Sequence, residues 1–206
     1  MIEQKNIFEL AYNLYQNNDL KKAEILLKKN LDTFPEHLPS IFLLGTLFAQ
    51  IKEFQKAKKL LKKAIKIKPK FIEGHNNLGN VFQELGKYQE AKSCYQHAIK
   101  LNPEYVEGHY NLGKVYQKLG KEQLAMSSYK KVIQLDSNYI KAHNNLGRVF
   151  QDMGKYQEAK SCYQHAIKLN PQYAEAYSNL GSVFQDMGKY QEAKSCYQHA
   201  IKLNPQ

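Results

Sequence analysis

The sequence predicts an all-α protein built from six helix-turn-helix units. Three observations lead to this prediction. A Leu-Gly pair recurs every 34 residues, apolar residues within each period are spaced by 3 and 4, and a turn residue separates two such stretches. The Leu-Gly pairs lie at 44–45, 78–79, 112–113, 146–147 and 180–181. A period of this length indicates a stack of repeated supersecondary units.

The period divides the chain without a gap from residue 4 onward. The six predicted units are 4–37, 38–71, 72–105, 106–139, 140–173 and 174–206, and we interpret residues 1–206 as one domain. A helix pair of this size cannot bury its own apolar stripe, so each unit stacks on the next and needs the same residues. Because residues 149–172 are identical to 183–206, an engineered or duplicated array is an alternative interpretation.

Each unit is predicted to hold two helices and two stops. In the third unit, apolar or small residues step by 3 and 4 through 75–82 and again through 91–99. Gly86, between these stretches, suits the left-handed conformation that ends a helix. A proline after the second helix prevents its continuation, and only Ser137 departs from that pattern. The prolines are Pro35, Pro69, Pro103, Pro171 and Pro205.

This pattern resembles the tetratricopeptide repeat family, whose signature places Leu-Gly and an aromatic in the first helix and Ala, an aromatic, Ala and Pro in the second. The matching residues of the third unit are Leu78, Gly79, Phe82, Ala91, Tyr95, Ala98 and Pro103. The resemblance covers the chain from Gln4 onward. It implies an α-solenoid in which six stacked units form a right-handed superhelix.

Two departures from the family pattern are informative. The usual tryptophan of the first helix is replaced in four units, and we interpret the replacements as packing aromatics. They are His75, His109, His143 and Tyr177. The first unit has Ala11 in place of Gly, with Leu14 and Leu27 in place of aromatics, which suggests that it caps the stack.

Composition limits the cellular setting and the class of partner. No run of eighteen apolar residues exists, and the first ten residues, MIEQKNIFEL, have no basic segment followed by an apolar one. We therefore expect no membrane span and no secretory signal, and a cytoplasmic or nuclear location. Three cysteines at equivalent positions fit a reducing compartment. The net charge of +11 favours acidic partners.

The sequence offers little for catalysis. Three Cys-x-x-His pairs place both side chains on one helical face, but two ligands are too few for a structural zinc site. The pairs are Cys94 with His97, Cys162 with His165, and Cys196 with His199. Paired carboxylates, a glycine-rich phosphate loop and a nucleophile elbow are absent. We predict no enzymatic activity, no catalytic residue, no metal site and no cofactor.

The candidate binding residues lie on one stripe of the first helices. We call this stripe, positions 2, 6, 9 and 13 of each unit, the first-helix face. Its sixth position is always Asn in the last four units, although Asn in a helix interior costs up to about 0.7 kcal/mol relative to Ala. The candidate residues are Asn77, Asn80, Asn111, Lys114, Lys141, Asn145, Arg148 and Asn179.

The family resemblance implies that the first helices line a concave groove that holds extended peptides. The repeated asparagine is similar to the asparagine ladder of O-GlcNAc transferase repeats, where amides bind a peptide backbone. An amide suits this role because it offers both a donor and an acceptor. We therefore predict a non-catalytic scaffold that binds an extended peptide or partner protein. One alternative is the substrate-recognition segment of a larger enzyme of the O-GlcNAc transferase type.

Two further binding modes remain as alternatives. The family's carboxylate clamp for chaperone C-termini is matched at Asn80, Asn111 and Lys141, but two of its cations are replaced by Asn76 and Asn145. A basic nucleic-acid-binding adaptor is suggested by the eight lysines of residues 56–70. We rank it below protein binding because no exposed aromatics are expected for base stacking.

The last helix suggests self-association. It repeats the internal sequence unchanged, so the residues that would cover a following unit have nothing to cover. These residues are Ala193, Tyr197, Ala200 and Ile201. Either a C-terminal continuation has been removed or another molecule supplies the cover, and on the second alternative we expect a weak homodimer through this C-terminal repeat.

Overall fold

Twelve α-helices separated by short turns form the described chain. The computed structural model describes the backbone of residues 2–204 and the side chains of residues 7–204, and this part contains no strand. The helices are α1 (Ile2–Gln16), α2 (Leu20–Thr33), α3 (Leu38–Gln50), α4 (Phe54–Ile67), α5 (Ile72–Glu84), α6 (Tyr88–Leu101), α7 (Val106–Lys118), α8 (Glu122–Leu135), α9 (Ile140–Asp152), α10 (Tyr156–Leu169), α11 (Ala174–Asp186) and α12 (Tyr190–Leu203). The predicted all-α chain of helix pairs is confirmed.

The helices form two compact units that divide between Tyr105 and Val106, at one of the predicted repeat boundaries. From this point we call these two parts the first and the second unit, and each of the six helix pairs a repeat. In the first unit, α1 packs on α2, α3 on α4 and α5 on α6, and the contacts of α2 with α3 and of α4 with α5 join the pairs. In the second unit, the pairs α7 with α8, α9 with α10 and α11 with α12 are joined in the same way. That residues 1–206 form one domain stays a prediction.

A left-handed residue ends every first helix. Gly86 has φ of 70°, as the sequence predicts, and its neighbour Lys87 donates its backbone N–H to the carbonyl of Phe82 at 2.8 Å. In the first two repeats a side-chain-bearing residue takes the same conformation, Asn18 with φ of 61° and Lys52 with φ of 64°. The chain therefore reverses identically in all six repeats, although only four of them use glycine there.

A side-chain turn follows the second helix of several repeats. The side chain of Asn102 accepts the backbone N–H of Glu104 at 3.0 Å, and Asn170 makes the equivalent bond. Where Ser137 replaces proline, Asp136 accepts the N–H of Asn138 at the same distance. This hydrogen bond keeps the turn in the one internal repeat that lacks the proline.

Tyrosines of the second helices fill the centre of three repeats. Tyr95, Tyr129 and Tyr163 are fully buried, and Leu27 and Leu61 occupy the equivalent positions of the first two repeats. Burial of side chains this large supplies much of the hydrophobic stabilisation of each pair. The aromatic stripe predicted for the second helices is confirmed.

The helices of the described residues are too short and too polar to cross a membrane. The outer surface of α12 leaves Tyr190 70% and Ile201 61% exposed. Self-association through this surface stays a prediction.

Candidate functional site

The first-helix face holds all eight candidate binding residues in regular helix. Asn77 and Asn80 lie on α5, Asn111 and Lys114 on α7, and Asn179 on α11. The other three, Lys141, Asn145 and Arg148, lie on α9. Successive first helices exchange hydrogen bonds within each unit, so candidate residues of neighbouring repeats lie side by side.

Within each unit, repeated asparagines donate to the preceding repeat. The Nδ2 atom of Asn145 donates to the hydroxyl of Tyr110 at 3.1 Å, and Nδ2 of Asn179 donates to Oδ1 of Asn144 at 2.9 Å. These acceptors lie 35 residues earlier in the chain. In the first unit that position is Phe42, and Asn77 donates instead to the hydroxyl of Thr46 at 3.2 Å. These amide donors therefore join repeats together, which leaves mainly the amide oxygens available to a ligand.

Asn80 has the opposite orientation. Its Oδ1 atom accepts the hydroxyl of Tyr95 at 2.7 Å, and its Nδ2 donor has no partner among the described residues. Since the fully buried Tyr95 ring cannot move freely, its hydroxyl fixes the direction of the Asn80 amide. Asn80 thus presents an oriented, unused N–H donor on the first-helix face.

Sequence reasoning missed the glutamines at position 12 of the last four repeats, which adjoin the first-helix face. Tyr129 donates its hydroxyl to Oε1 of Gln117 at 2.7 Å, and Tyr197 donates to Gln185 at 3.1 Å. The tyrosine and its glutamine recur together with the 34-residue period, which was the available signal. The hydroxyls of the buried tyrosines therefore reach the first-helix face.

Arg148 is the main exposed cation at the centre of the second unit. Its Nη2 atom donates to Oε1 of Gln117 at 3.2 Å, and its remaining N–H groups have no partner among the described residues. Lys141 is exposed on the same helix, and the Lys114 amino group lies 5.9 Å from the centroid of the Tyr110 ring. The face therefore offers positive charge beside an aromatic ring.

The nearby carboxylates are already engaged by neutral partners. Glu175 accepts the amide of Asn144 at 2.9 Å and the hydroxyl of Tyr173 at 2.8 Å. Asp186 accepts the amide of Gln151 at 2.6 Å. Neither of these two anions is paired with Arg148 or Lys141 among the described residues. Burial raises the pKa of a third carboxyl, Asp152 on α9, and the charge of Arg148 opposes that shift.

An open cavity of about 450 Å³ lies on the first-helix face of the first unit. Its lining includes two of the candidate residues, Asn77 and Asn80, together with Ala49, Phe54 and Val81. Clefts of about 300 to 1,000 Å³ with mostly apolar walls are typical of ligand sites.

The Cys-x-x-His pairs contribute to packing. His97 stacks on His75 with ring centroids 4.1 Å apart, and His165 stacks on His143 at 4.3 Å. His75 and His143 also direct Nε2 at backbone carbonyls, those of Pro69 and Ser137, each at 2.9 Å. The packing role predicted for these two histidines is confirmed. The described residues hold no group of three or more His, Cys, Asp or Glu side chains that could bind a metal ion.

Burial also makes the thiols less acidic. It raises the pKa of Cys94 and of Cys162 to about 11, and it raises the pKa of the less buried Cys196 in the same direction. A thiol with such a pKa holds very little thiolate at neutral pH, so these side chains are poor nucleophiles and poor metal ligands.

The lysine-rich helix α4 is not a uniformly free basic surface. Lys56 pairs with Glu53 at 3.4 Å, and Lys63 donates to the carbonyl of Pro35 at 2.6 Å. The amino group of Lys62 lies 6.0 Å from the centre of the Phe82 ring, which belongs to the next repeat. Several of these lysines therefore cover apolar rings and turn carbonyls, and nothing in their contacts favours nucleic acid as the ligand.

Two family models match most of the chain. One, described as tetratricopeptide repeat, matches residues 106–172 and 138–206, and the other, described as TPR repeat, matches 45–86 and 82–120. No curated protein matches the sequence.

Solved structures with similar folds share little sequence with this chain. PilF of Pseudomonas aeruginosa has a TM-score of 0.85 at 20% identity, with 98% of this chain and 92% of that chain covered. MamA has a TM-score of 0.72 at 24% identity, covering 79% and 95%. YrrB, described as a TPR protein with an unusual peptide-binding site, has a TM-score of 0.69 at 23% identity, covering 87% and 92%. At these identities the likeness shows the fold alone.

Proposed function

Because the chain belongs to the tetratricopeptide repeat family, we propose that it is a non-catalytic scaffold that binds an extended segment of a partner protein along the first-helix face. The family acts typically through protein–protein interaction, and the similar fold of YrrB belongs to a protein described as having a peptide-binding site.

The observation that carries the proposal is an oriented side chain with unused donors in each of the two units, Asn80 in the first and Arg148 in the second. Tyr95 fixes the Asn80 amide, and Gln117 fixes one edge of the Arg148 guanidinium. Each keeps N–H groups directed away from its protein partner. Donors held in place by the fold bind an acceptor at a smaller entropic cost than flexible ones.

The repeated asparagines supply the complementary acceptors. Since Asn145 and Asn179 use Nδ2 to bond the preceding repeat, we propose that their Oδ1 atoms accept N–H groups of the ligand backbone. Asn80 donates to a ligand carbonyl. On the first-helix face of each unit taken by itself, such donors and acceptors match the alternating groups of an extended peptide, without reading its side chains.

The charges of the second unit favour an acidic ligand segment. Arg148 and Lys141 are exposed on α9 and lack ion-pair partners among the described residues, while Glu175 is hydrogen-bonded to Asn144. An acidic side chain over α9 would pair with Arg148. Since a guanidinium can bind a carboxylate through two parallel hydrogen bonds, Arg148 is the stronger of the two candidate contacts.

A peptide array tests the proposal. We expect the protein to bind a subset of acidic peptides, and the double variant Asn80→Ala/Arg148→Ala to bind them several-fold more weakly with an unchanged helical circular dichroism spectrum. The matched control is Lys168→Ala, which removes an exposed cation from α10, away from the first-helix face. Equal loss in the control, or no loss in the double variant, would contradict the proposal.

Two earlier alternatives remain hypotheses. A recognition segment of a larger enzyme of the O-GlcNAc transferase type would use the same face, so the array does not separate it from a free-standing scaffold. Sequencing the intact gene decides that question. The nucleic-acid alternative predicts binding that collapses as salt is raised, which a gel shift measures directly.

A further inference from the structure

The cavity on the first unit exists because one repeat departs from the others. Thr46 and Ala49 line it, on α3. One repeat later the same two positions hold Asn80 and Gln83, the fourth and fifth repeats have Lys or Arg with Gln, and the sixth has Ser with Gln. These later pairs are Lys114 with Gln117 and Arg148 with Gln151. The small side chains of the second repeat therefore leave open a space that longer polar side chains occupy elsewhere on this face.

The second unit shows how the longer side chains behave. Gln117 accepts both the hydroxyl of Tyr129 and the guanidinium of Arg148, so the two long side chains meet across the face. No such pair can form with Ala49, which has no side chain beyond Cβ. The opening thus follows from the short side chains of the second repeat, and Lys52, in the turn after α3, also lines it.

The walls of the cavity suit an apolar group. Ala49, Phe54 and Val81 line it together with Tyr15, and Asn80, whose Nδ2 donor is unused among the described residues, also lines it. Its volume of about 450 Å³ is many times the share of one water in the liquid, which is about 30 Å³. A large side chain fits, and its backbone would lie within reach of the Asn80 donor.

Opposite charges flank this opening. Lys52 and Glu84 both line the cavity and both are exposed. Neither makes an ion pair among the described residues. A ligand with an anion on one side of its apolar group and a cation on the other would complement both charges.

We propose that this cavity binds one bulky apolar side chain, aromatic or leucine-sized, of the peptide held on the first-helix face, with an acidic and a basic residue on either side of it. The inference rests on the proposed function, because it names the anchor residue of the same ligand. Buried anchors in a pocket with a polar rim carry most of the affinity in many interfaces.

Short synthetic peptides test the inference directly. The probes are blocked peptides Gly-Asp-Gly-X-Gly-Lys-Gly and their charge-reversed order, with X as Trp, Leu or Ala. The protein contains no tryptophan, so the emission of a Trp peptide reports its own burial without background. We expect the Trp and Leu peptides to bind at least about tenfold more tightly than the Ala peptide, since a buried side chain of this size is worth that much. The Trp emission should shift to the blue.

Two variants fill the cavity with side chains that the chain already uses. Ala49→Gln installs the residue of the later repeats, and Thr46→Arg installs that of the fifth repeat. Either should remove the preference for bulky X. Ser93→Gln, which adds the same glutamine to an exposed position of α6, should leave it unchanged. Thermal melting of each variant establishes that it is folded. If one of the two filling variants does not fold, the other still tests the inference.

The outcomes separate this inference from the proposed function. If peptides bind equally whatever X is, and Ala49→Gln has no effect while Asn80→Ala/Arg148→Ala weakens array binding, the cavity inference is overturned and the scaffold proposal stands. If no peptide binds in either experiment, both are overturned. If only bulky X binds and both filling variants abolish it, the cavity is the anchor site.

Discussion

The ring of Tyr129 packs directly against the backbone of Gly113, so closely that a Cβ atom at residue 113 would lie 2.7 Å from the ring. The same contact joins Gly79 to Tyr95, at 2.6 Å. Real Cβ atoms do not approach carbon this closely. In the last four repeats the glycine of the Leu-Gly motif therefore allows a tyrosine of the second helix to reach the first helix of its own repeat.

We predict that Gly113→Ala destabilises the protein, even though alanine favours a helix by about 1 kcal/mol over glycine. Overpacking typically costs about 1 to 3 kcal/mol, so the clash with Tyr129 should outweigh the gain. Urea unfolding followed by circular dichroism measures the difference. The first repeat supplies the control, because Ala11 there faces Leu27. Gly113→Ala/Tyr129→Leu should be less destabilised than the sum of its single variants, and simple additivity would contradict the clash.

Much of the fold follows from the sequence because each repeat meets the same neighbour. The period places Gly86 at a left-handed turn and Tyr95 in the core, and both placements are confirmed. Such features depend on residues within one repeat. Features of this kind can be predicted from the spacing of residues within a single repeat.

The details of the candidate face depend on pairs of repeats and were harder to foresee. The amide of Asn145 finds an acceptor because Tyr110 lies 35 residues earlier, while Asn77 has Phe42 there and donates to Thr46 instead. Likewise, the cavity can be predicted only when Ala49 is compared with the glutamines at the equivalent positions of other repeats. A consensus sequence of one repeat does not contain these differences, because it averages over the positions at which the repeats differ.

We predict that the stacked histidines make stability fall in weak acid. Burial lowers the pKa of both His75 and His143, with a smaller contribution from the neighbouring imidazoles His97 and His165, so the folded state favours the neutral rings. The unfolded chain binds protons more readily. The stabilisation is therefore fully present above the ordinary histidine pKa of about 6.5 and is lost as pH falls through the lower folded values.

Tyr177 provides a matched replacement for this test, since it stacks on His199 at 4.2 Å in the same position of the sixth repeat. The double variant His75→Tyr/His143→Tyr should keep the packing and lose proton binding. We expect its urea midpoint to change less between pH 7.5 and pH 5.5 than that of the parent. An identical pH dependence in both proteins would show that these histidines do not titrate with unfolding.

We predict that the three cysteines react slowly and unequally with a disulfide reagent. Because burial raises the pKa of Cys94 and Cys162 to about 11, little thiolate is present at pH 8. Cys196 is less deeply buried and should react first. Single Cys→Ala variants assign each phase of the reaction, and equal fast rates for all three thiols would contradict this account. EDTA should leave both the rates and the melting temperature unchanged.

The last prediction separates two roles of the asparagines on the first-helix face, hydrogen bonding within the protein and binding of the ligand. Asn145 is only 8% exposed, and its amide donates to the hydroxyls of Tyr110 and Tyr129, which lie on two different helices. Asn145→Ala removes both bonds and leaves buried hydroxyls with fewer partners. We expect a loss of about 1 to 3 kcal/mol in the free energy of unfolding.

Asn80→Ala should differ from Asn145→Ala both in stability and in affinity for the peptide ligand. Its Oδ1 accepts one hydroxyl, that of Tyr95, and its Nδ2 donor, which has no partner among the described residues, is the group that we propose for the ligand. We expect a smaller loss of stability than for Asn145→Ala and a larger relative loss of affinity for the array peptides. The comparison uses urea unfolding and peptide titration on the same two variants. If Asn145→Ala is as stable as the parent protein while binding is lost, the asparagine serves the ligand and its bonds to the tyrosines contribute little.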